Sequence, residues 1–304
     1  MIVDGGLGLE LERRGFAYTT GLWSAEAVLS RPDLLIAIHR DFLAAGACVL
    51  ETATYQISYA TLRELGFADA EIEALFVRAV ACARTAIAAH VADAGLLDAC
   101  AFTVAGSMGP YGATRADGSE YTGRQHLERS ALYAFHHERT QSLARAAPDV
   151  LLFETIPTRT EALVVAEVAR DLGCERVWLS LACADGERTY GGDRLADIVA
   201  DLEPFDCIEV LGINCTAPAA IGPLVHAIQS RSAKPILVCP NLGQHWESVV
   251  AGLAGGASDA EFLARIPEWL ALGVAYIGGC CGVTPQTIAA ASRLAQAARS
   301  AAQR

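Results

Sequence analysis

The feature that most constrains the fold is a regular alternation of short apolar runs with longer segments of helical periodicity. Eight runs rich in β-branched residues predict strands at residues 1–4, 47–52, 101–106, 149–154, 176–182, 207–214, 235–240 and 275–279. These runs are apolar almost throughout, which is typical of strands covered on both faces. The sequence therefore predicts a sheet whose two faces are both covered.

The segments between the runs predict helices. These lie at residues 32–45, 69–92, 126–146, 159–172, 195–201, 217–229, 259–272 and 285–302. Eight strand–helix units favour one domain, residues 1–304, of the α/β class, folded as a (β/α)8 TIM barrel. A doubly wound open sheet is the alternative. However, residues 5–8 lack the third glycine and later acidic residue of a dinucleotide site, so we interpret them as a tight turn.

Composition limits the class of protein. Hydrophobic residues make up 53% of the chain and charged residues 19%, which is typical of a soluble protein with a large buried interior. No apolar run reaches the roughly 18 residues of a membrane helix, and no secretion signal is evident, so we expect a cytoplasmic protein. The net charge of −12, without a Lys/Arg cluster, argues against binding to nucleic acids or anionic membranes.

Polar residues follow several of the runs, where a (β/α)8 barrel places its catalytic groups. They are Asp4, Glu51, Thr52, Thr54, Glu154, Thr155, Asn214, Cys215, Asn241, Cys280 and Cys281. A buried carboxylate needs a partner, so Asp4, Glu51 and Glu154 either pair with arginines and turn amides or hold a substrate ammonium group. The longest irregular stretch, residues 106–124, is expected to cover such a site or to be mobile.

The ten cysteines of this chain are predicted to be reduced. Cys280 and Cys281 are adjacent and flanked by glycines, and a barrel brings Cys215 towards them from the end of the sixth run. Three thiolates form a soft site for Zn²⁺ with one tetrahedral position open, as in catalytic zinc sites. The alternative for each cysteine is a small buried apolar side chain, which we favour for the others. Residues 136–138, His-His-Glu, are expected on a solvated helix face.

Eight short blocks, spread along the whole chain, match the pattern of a known family. They are DGGLGLELERRG at residues 4–15, LWSA at 22–25, ETATYQ at 51–56, GSMGPYGA at 106–113, DGSEY at 117–121, FETIP at 153–157, LGINC at 211–215 and GGCCG at 278–282. The pairing of GINC with GGCC in this order is highly specific. On these blocks, the chain resembles the homocysteine S-methyltransferases, close to the branch that uses S-methylmethionine.

The resemblance implies a (β/α)8 barrel that holds Zn²⁺ on three thiolates, matching Cys215, Cys280 and Cys281. It also implies that a sulfonium or ammonium donor methylates L-homocysteine to methionine. The donor would be S-methylmethionine or S-adenosylmethionine. Betaine-using and cobalamin-dependent relatives share the metal motif, but this chain has no room for the folate and cobalamin modules of the latter. A monomer or homodimer is expected.

The resemblance also implies roles for residues around the metal. Asp4 and Glu154 match positions near the amino acid substrate, where a carboxylate binds an ammonium group. Asn214 hydrogen-bonds the substrate or orients the neighbouring ligand. The donor side would be lined by Glu51, Thr54 and Gln56. Gly278 and Gly279 would let the backbone approach the carboxylate of the substrate. For the two glycines, the alternative is a steric requirement of the turn.

One segment departs from the family pattern. Relatives tend to have Tyr-Pro-Asn-Ser-Gly-Glu after the seventh strand, and this chain has Cys-Pro-Asn-Leu-Gly-Gln at residues 239–244. The change leaves the metal motif intact and bears on the identity of the donor.

Two other functions remain open on the residues alone. One is hydrolysis by zinc-activated water, which needs a Glu or His base, and the other is a non-catalytic redox or zinc-storage protein.

Overall fold

The chain forms an α/β fold in the computed structural model. The structure describes residues 1–19, 22–95, 101–115, 117–123, 127–242, 245–248, 252–254 and 258–302. Its strands are β1 (Val49–Glu51), β2 (Thr103–Met108), β3 (Val150–Ile156), β4 (Val177–Ala182), β5 (Ile208–Asn214), β6 (Ile236–Cys239), β7 (His245–Ser248), β8 (Gly252–Ala254) and β9 (Tyr276–Ile277). Its α-helices are α1 (Leu7–Arg13), α2 (Ser24–Ser30), α3 (Pro32–Ala44), α4 (Tyr59–Glu64), α5 (Asp69–Ala94), α6 (Arg129–Arg145), α7 (Arg159–Asp171), α8 (Leu195–Leu202), α9 (Ile221–Gln229), α10 (Asp259–Ala271) and α11 (Pro285–Ala302).

The main sheet has seven parallel strands in the order β1-β2-β3-β4-β5-β6-β9. This order follows the chain, apart from β7 and β8, which form a separate antiparallel pair. Helices connect successive strands of the sheet, as parallel pairing requires. The carboxyl ends of the strands therefore meet at one edge, and the predicted parallel α/β arrangement is confirmed.

Two residues near the N-terminus lie between the edge strands β1 and β9. Val3 forms a parallel bridge with Val49, and Ile2 forms one with Ile277. The strand predicted over residues 1–4 is therefore present only as two single bridges, and the sheet has seven strands rather than the eight of a closed barrel. The physical reason is the glycines that follow these short segments, because glycine weakens a strand.

The other predicted strands and helices lie within a few residues of their expected bounds. The helix predicted over 217–229 is divided into a 3₁₀ turn, Pro218–Ala220, and α9. Three short helices, α1, α2 and α4, and the β7–β8 pair were not predicted. Of the tight turn predicted at residues 5–8, the last two residues begin α1, and Gly6 is the N-cap of that helix. In the described part of the chain, no helix is both long and apolar enough to cross a membrane.

Side chains of the sheet alternate between two buried faces. Val49 of β1 packs in one apolar cluster with Leu152 of β3 and Leu237 of β6. The next residue, Leu50, packs in a second cluster that includes helix residues such as Phe42. Both faces of the sheet are thus covered, which explains the near-continuous apolar runs.

Arg139 of α6 is fully buried and ties together the loops after β1 and β2. Its guanidinium donates to the carbonyl oxygens of Ile57 at 2.6 Å, Tyr55 at 2.7 Å and Gly109 at 2.8 Å. Burial lowers the pKa of Arg139 to about 10, so the side chain is still a cation at neutral pH. The Tyr55 ring packs on Gly109, where a Cβ atom would lie 2.6 Å from it. The arginine therefore fixes the position of Tyr55.

We expect Arg139→Met to lower the free energy of unfolding by about 3 kcal/mol or more, because three buried carbonyl oxygens lose their donor. Arg145→Met is the control in the same helix. It removes an exposed arginine that pairs with Glu73 at 3.3 Å, and it should cost less than about 1 kcal/mol. Urea unfolding of both variants measures the difference. Equal losses would mean that the three carbonyl bonds contribute nothing specific.

Candidate active site

A cavity of about 140 Å³ opens at the carboxyl edge of the sheet. Several strand ends line it, together with the start of α1 and a 3₁₀ turn, Ser119–Tyr121. The predicted site residues in its wall are Glu51, Gln56, Glu154, Cys215, Gly279, Cys280 and Cys281. The other predicted site residues bond to or adjoin the wall, and they are Asp4, Thr54, Asn214 and Gly278.

The sulfurs of Cys215, Cys280 and Cys281 converge at this cavity. They lie within 4.8 Å of one another, although 65 residues separate Cys215 from Cys280. The sulfurs of Cys215 and Cys280 are paired across a Cα–Cα distance of 5.6 Å, and Cys281 keeps a free thiol. This separation allows the two residues to form a disulfide, and the reduced state of the ten cysteines stays a prediction.

Backbone hydrogen bonds through the end of β6 hold the two cysteine segments together. The amide of Cys215 donates to the carbonyl of Cys239 at 3.1 Å, and the amide of Cys280 donates to that of Pro240 at 2.9 Å. The amide of Leu242 donates to the carbonyl of Cys281 at 3.1 Å. Because β6 lies between β5 and β9, its carboxyl end joins the two strands that supply the thiols.

The segment that departs from the family pattern thus bonds through its backbone to the thiol cluster, which consists of Cys215, Cys280 and Cys281. The structure describes its residues 239–242, and residues 243–244 lie outside the described part. Cys239 is buried next to Gly278, where a Cβ atom would lie 3.0 Å from its sulfur. Burial, followed by the charge of Glu51, raises the pKa of Cys239 well above its usual range. This thiol is therefore neutral at physiological pH.

Asn214 does not line the cavity itself, but its side chain bonds to two residues that do. Its side-chain oxygen accepts from the amide of Thr155 at 2.7 Å and from the hydroxyl of Ser180 at 2.8 Å. Its side-chain nitrogen donates to the hydroxyl of Thr155 at 2.7 Å and to the carboxylate of Glu154 at 3.2 Å. Thr155 and Cys215 have φ values of 60° and 47°, which are uncommon outside glycine. The bonds from Asn214 stabilise this strained backbone, so its geometry suits a residue that orients its neighbours.

Of the three predicted carboxylates, Asp4 and Glu154 are buried and Glu51 is half-buried, and none has a basic partner among the described residues. Glu154 accepts from the Ser107 hydroxyl and from Asn214. Asp4 accepts from the amide of Glu51 at 3.0 Å, and its other oxygen, Oδ1, has no partner in the described part. Burial raises the pKa of Glu154 to about 7. Burial, with the charge of Glu154 adding to it, raises the pKa values of Asp4 and Glu51 well above their usual range.

Two predicted polar residues of the loop after β1 bond to the protein itself. The hydroxyl of Thr54 donates to the carbonyl of Ser107 at 2.6 Å. The side-chain amide of Gln56 donates to the carbonyl of Ala113 at 2.9 Å, although Gln56 also lines the cavity. These bonds fix the loop after β1 against the loop after β2.

The two predicted glycines have a packing reason in this fold. A Cβ atom on Gly278 would lie 2.6 Å from the Cβ of Val3, and one on Gly279 would overlap the side chain of Val283. Their amides are also used inside the protein. Gly278 donates to a β6 carbonyl, and Gly279 donates to the carbonyl of Asp4 at 3.0 Å. The turn before the paired cysteines therefore requires glycine on steric grounds.

Several residues of the cavity wall had no predicted role, and four of them carry an aromatic or acidic side chain. They are Trp23, Tyr55, Glu120 and Tyr121. The hydroxyl of Tyr121 lies 3.8 Å from the sulfur of Cys215 and 4.0 Å from that of Cys281, and its ring packs edge-on against Tyr190. The stretch predicted over residues 106–124 thus includes part of the cavity wall, although its first three residues belong to β2. The blocks LWSA, ETATYQ and DGSEY were the only sequence signal for these residues.

His136, expected on a solvated helix face, is fully buried in the structure. Its Nε2 atom bonds to the carboxylate of Glu161 at 2.9 Å, and the same oxygen accepts from the amide of Tyr111 at 2.7 Å. The cause is the packing of α6 against α7, which encloses this side of the helix. The histidine is therefore a structural residue outside the cavity wall.

Glu154 should give the metal-free protein a measurable pH dependence. Its pKa rises from 4.5 to about 7 on burial, so the folded state holds a proton through a pH range in which the unfolded state releases it. Stability therefore falls as the pH rises from about 5 to about 8, and it should fall less in Glu154→Gln. The melting temperatures of the wild type and Glu154→Gln, measured across this pH range, test this pH dependence. Glu187→Gln, a change of an exposed side chain, is the control. A Glu154→Gln melting temperature that tracks the wild type at every pH would contradict it.

Known proteins are similar to this chain along nearly all of its length. A family model described as Homocysteine S-methyltransferase matches residues 1–295. Homocysteine S-methyltransferase 4 of Zea mays is 39% identical, over 96% of this chain and 88% of its own. Homocysteine S-methyltransferase of Escherichia coli (strain K12) is 37% identical, over 95% of this chain and 93% of its own. Selenocysteine methyltransferase of Astragalus bisulcatus is 34% identical, over 94% of this chain and 90% of its own.

Solved structures show the same likeness. The homocysteine methyltransferase MmuM from Escherichia coli, in its oxidized form, has a TM-score of 0.87 and 35% identity, covering 97% of this chain and 95% of that chain. Its metallated form has a TM-score of 0.86 and 34% identity, covering 97% and 96%. With the family model and the relatives, these matches establish that the chain belongs to the homocysteine S-methyltransferase family.

Proposed function

We propose that the protein transfers a methyl group from a sulfonium donor to the thiol of L-homocysteine and so forms methionine. The observation that carries this proposal is the convergence of three thiols on an acidic cavity. Among the described residues of its wall, none is Lys, Arg or His. Such a cavity suits a reaction between a thiol and a positively charged donor, and membership of the family supports the same reaction.

We propose Cys215, Cys280 and Cys281 as the ligands of Zn²⁺. Sulfur ligands of a tetrahedral zinc lie about 3.8 Å apart, because each is about 2.3 Å from the metal. The three sulfurs here lie within 4.8 Å of one another, which fits such a site after small shifts. Where Cys215 and Cys280 are joined as a disulfide, an added dithiol reductant must first convert them to two thiols, and the reductant itself becomes a disulfide. Zinc, when bound, would lower the pKa of a thiol placed at the fourth position.

The thiol cluster itself supports a cation at this place. Burial raises the pKa of Cys281 to about 11, so its sulfur stays protonated at neutral pH unless a cation lies close to it. None of the described wall residues is basic, so the protein supplies no such cation from its own side chains. Thiolates favour soft metals, which makes zinc a suitable occupant.

We propose that Glu154 binds the ammonium group of homocysteine. Its carboxylate lines the cavity, and bonds from Ser107 and Asn214 fix its position. Glu51 lines the wall as well, and Asp4 acts through it by accepting from its amide. Asp4 therefore shapes the wall without facing the cavity.

The identity of the donor is proposed from charge. S-methylmethionine and S-adenosylmethionine each carry a sulfonium cation, which an acid-lined cavity attracts. In the reaction, the homocysteine sulfur bonds to the methyl carbon while the carbon–sulfur bond of the donor breaks, and its electron pair stays on the leaving sulfur. The wall has to hold the three atoms in line and exclude water. No proton leaves the methyl carbon, so a general base is not needed there.

Two other functions have less support. Hydrolysis by zinc-activated water would use the same metal, but three thiolates donate much charge and make a weak Lewis acid. A redox or zinc-storage protein would need the thiols and not the acidic cavity. Betaine is a cation too, and it is included below as an alternative donor.

We also propose a finer description of the fold. In this description the segment takes the position of the eighth strand of a TIM barrel, and the bridges of Ile2 and Val3 support it. A single domain over residues 1–304, a cytoplasmic location and a monomeric or homodimeric state remain predictions.

Methyl transfer is tested directly with reduced, zinc-loaded protein and homocysteine. S-methylmethionine, S-adenosylmethionine and betaine are supplied in separate reactions, and methionine is measured by mass spectrometry. We expect methionine with a sulfonium donor and little or none with betaine. Methionine from no donor would reject the proposed function, and methionine from betaine alone would reject the sulfonium assignment.

Cys215→Ser should release zinc and lower methionine formation by more than about 100-fold, because only two of three thiolates remain. Cys174→Ser is the matched control, since this half-buried cysteine precedes β4 at the opposite edge of the sheet. Zinc content after dialysis and the rate of methionine formation are measured for both. The ligand assignment fails if Cys215→Ser keeps the zinc content and the rate of the wild type.

A further inference from the structure

Glu120 is a buried carboxylate in the cavity wall that the proposed chemistry has not used. It lies in the 3₁₀ turn Ser119–Tyr121 and is 9% exposed. Its Oε2 atom is buried and has no hydrogen-bond partner among the described residues. A buried oxygen without a donor is unfavourable, so its retention at a cavity indicates a ligand that supplies the donor.

The backbone around Glu120 holds the side chain in one place. Gly112 packs so closely that a Cβ atom there would lie 2.8 Å from the amide nitrogen of Glu120. Gly118, just before the turn, has a φ of 79°, which favours glycine. The carboxylate is therefore presented to the cavity by a well-packed turn.

No described side chain of the cavity wall supplies a cation for Glu120. None of the described residues of the cavity wall is basic. Burial raises the pKa of Glu120 to about 7, as expected for a carboxyl without a positive partner. Burial and then the charge of Glu120 raise the pKa of Tyr55, so the carboxylate lies near the ring that faces the cavity.

We propose that Glu120 binds the ammonium group of an amino-acid methyl donor, a role that rests on the proposed methyl transfer. An ammonium group brings N–H donors to the unpartnered oxygen, whereas a sulfonium centre has none to offer. Glu154 is bonded to Ser107 and Asn214 and is assigned to the acceptor. The two amino acids of the reaction thus have separate carboxylates.

This assignment makes Glu120 a determinant of donor choice. A sulfonium donor with an ammonium group, such as S-methylmethionine, should bind more tightly than the same sulfonium without it. The deaminated analogue, 4-(dimethylsulfonio)butanoate, keeps the dimethylsulfonium and the carboxylate and lacks only the ammonium. The pair therefore isolates the contact with Glu120.

The experiment measures equilibrium binding of both compounds by calorimetry to reduced, zinc-loaded wild type, Glu120→Gln and Glu187→Gln. Glu187→Gln removes one exposed negative charge after β4, at the same edge of the sheet. We expect Glu120→Gln to weaken S-methylmethionine binding by about 10- to 100-fold, since a charge-assisted hydrogen bond is lost. Binding of the deaminated analogue should stay unchanged in this variant, and Glu187→Gln should bind both compounds as the wild type does.

Three results would overturn the assignment. They are unchanged binding of S-methylmethionine by Glu120→Gln, an equal loss for both compounds, and a wild type that binds the two equally well. If Glu120→Gln does not fold, Glu120→Asp replaces it. The shorter acid should weaken only S-methylmethionine. Methionine formation by the wild type separates the two proposals, because its absence rejects the proposed function, whereas its presence with any of the three results rejects Glu120 alone.

Discussion

The site depends on the side-by-side pairing of β5, β6 and β9. The pairing places Asn214 opposite Cys239, and bonds from the residues that follow connect Cys215 and Cys280 to the end of β6. A slip of one residue in a strand turns each side chain to the other face, so this register decides whether the sulfurs meet. The thiol cluster is thus a product of strand pairing, although β9 itself has only two residues.

Strain and unpaired charge are concentrated around this edge. Thr155 and Cys215 adopt left-handed backbone, Asp4, Glu120 and Glu154 are buried acids, and Glu51 is a half-buried acid. Each of these is unfavourable by itself. Asn214, which does not line the cavity, holds Thr155 and Glu154 through its side chain. Apolar clusters on both faces of the sheet supply the stability that such a site needs.

Sequence periodicity predicted the parts of the molecule that repeat. The parallel sheet, its main helices and the meeting of Cys215 with the later cysteine pair all follow from the order of strand–helix units. The edge of the sheet could not be predicted in this way, because single bridges at Ile2 and Val3 leave no periodic pattern. Glu120 and the bonding partners of Asn214, whose orienting role the resemblance did imply, were missed for a similar reason. Their positions depend on contacts between distant loops, and neither charge nor spacing encodes such contacts.

The acidic wall also couples amino acid binding to the protons of the solvent. Without a ligand, Glu120 and Glu154 each have a pKa of about 7, so both are partly protonated in neutral solution. An ammonium group against either carboxylate favours its ionised form and displaces the proton. The cavity would then exchange hydrogen ions for amino acids, and its occupancy would rise as the pH increases towards about 7, a range in which the ammonium groups of the substrates keep their charge.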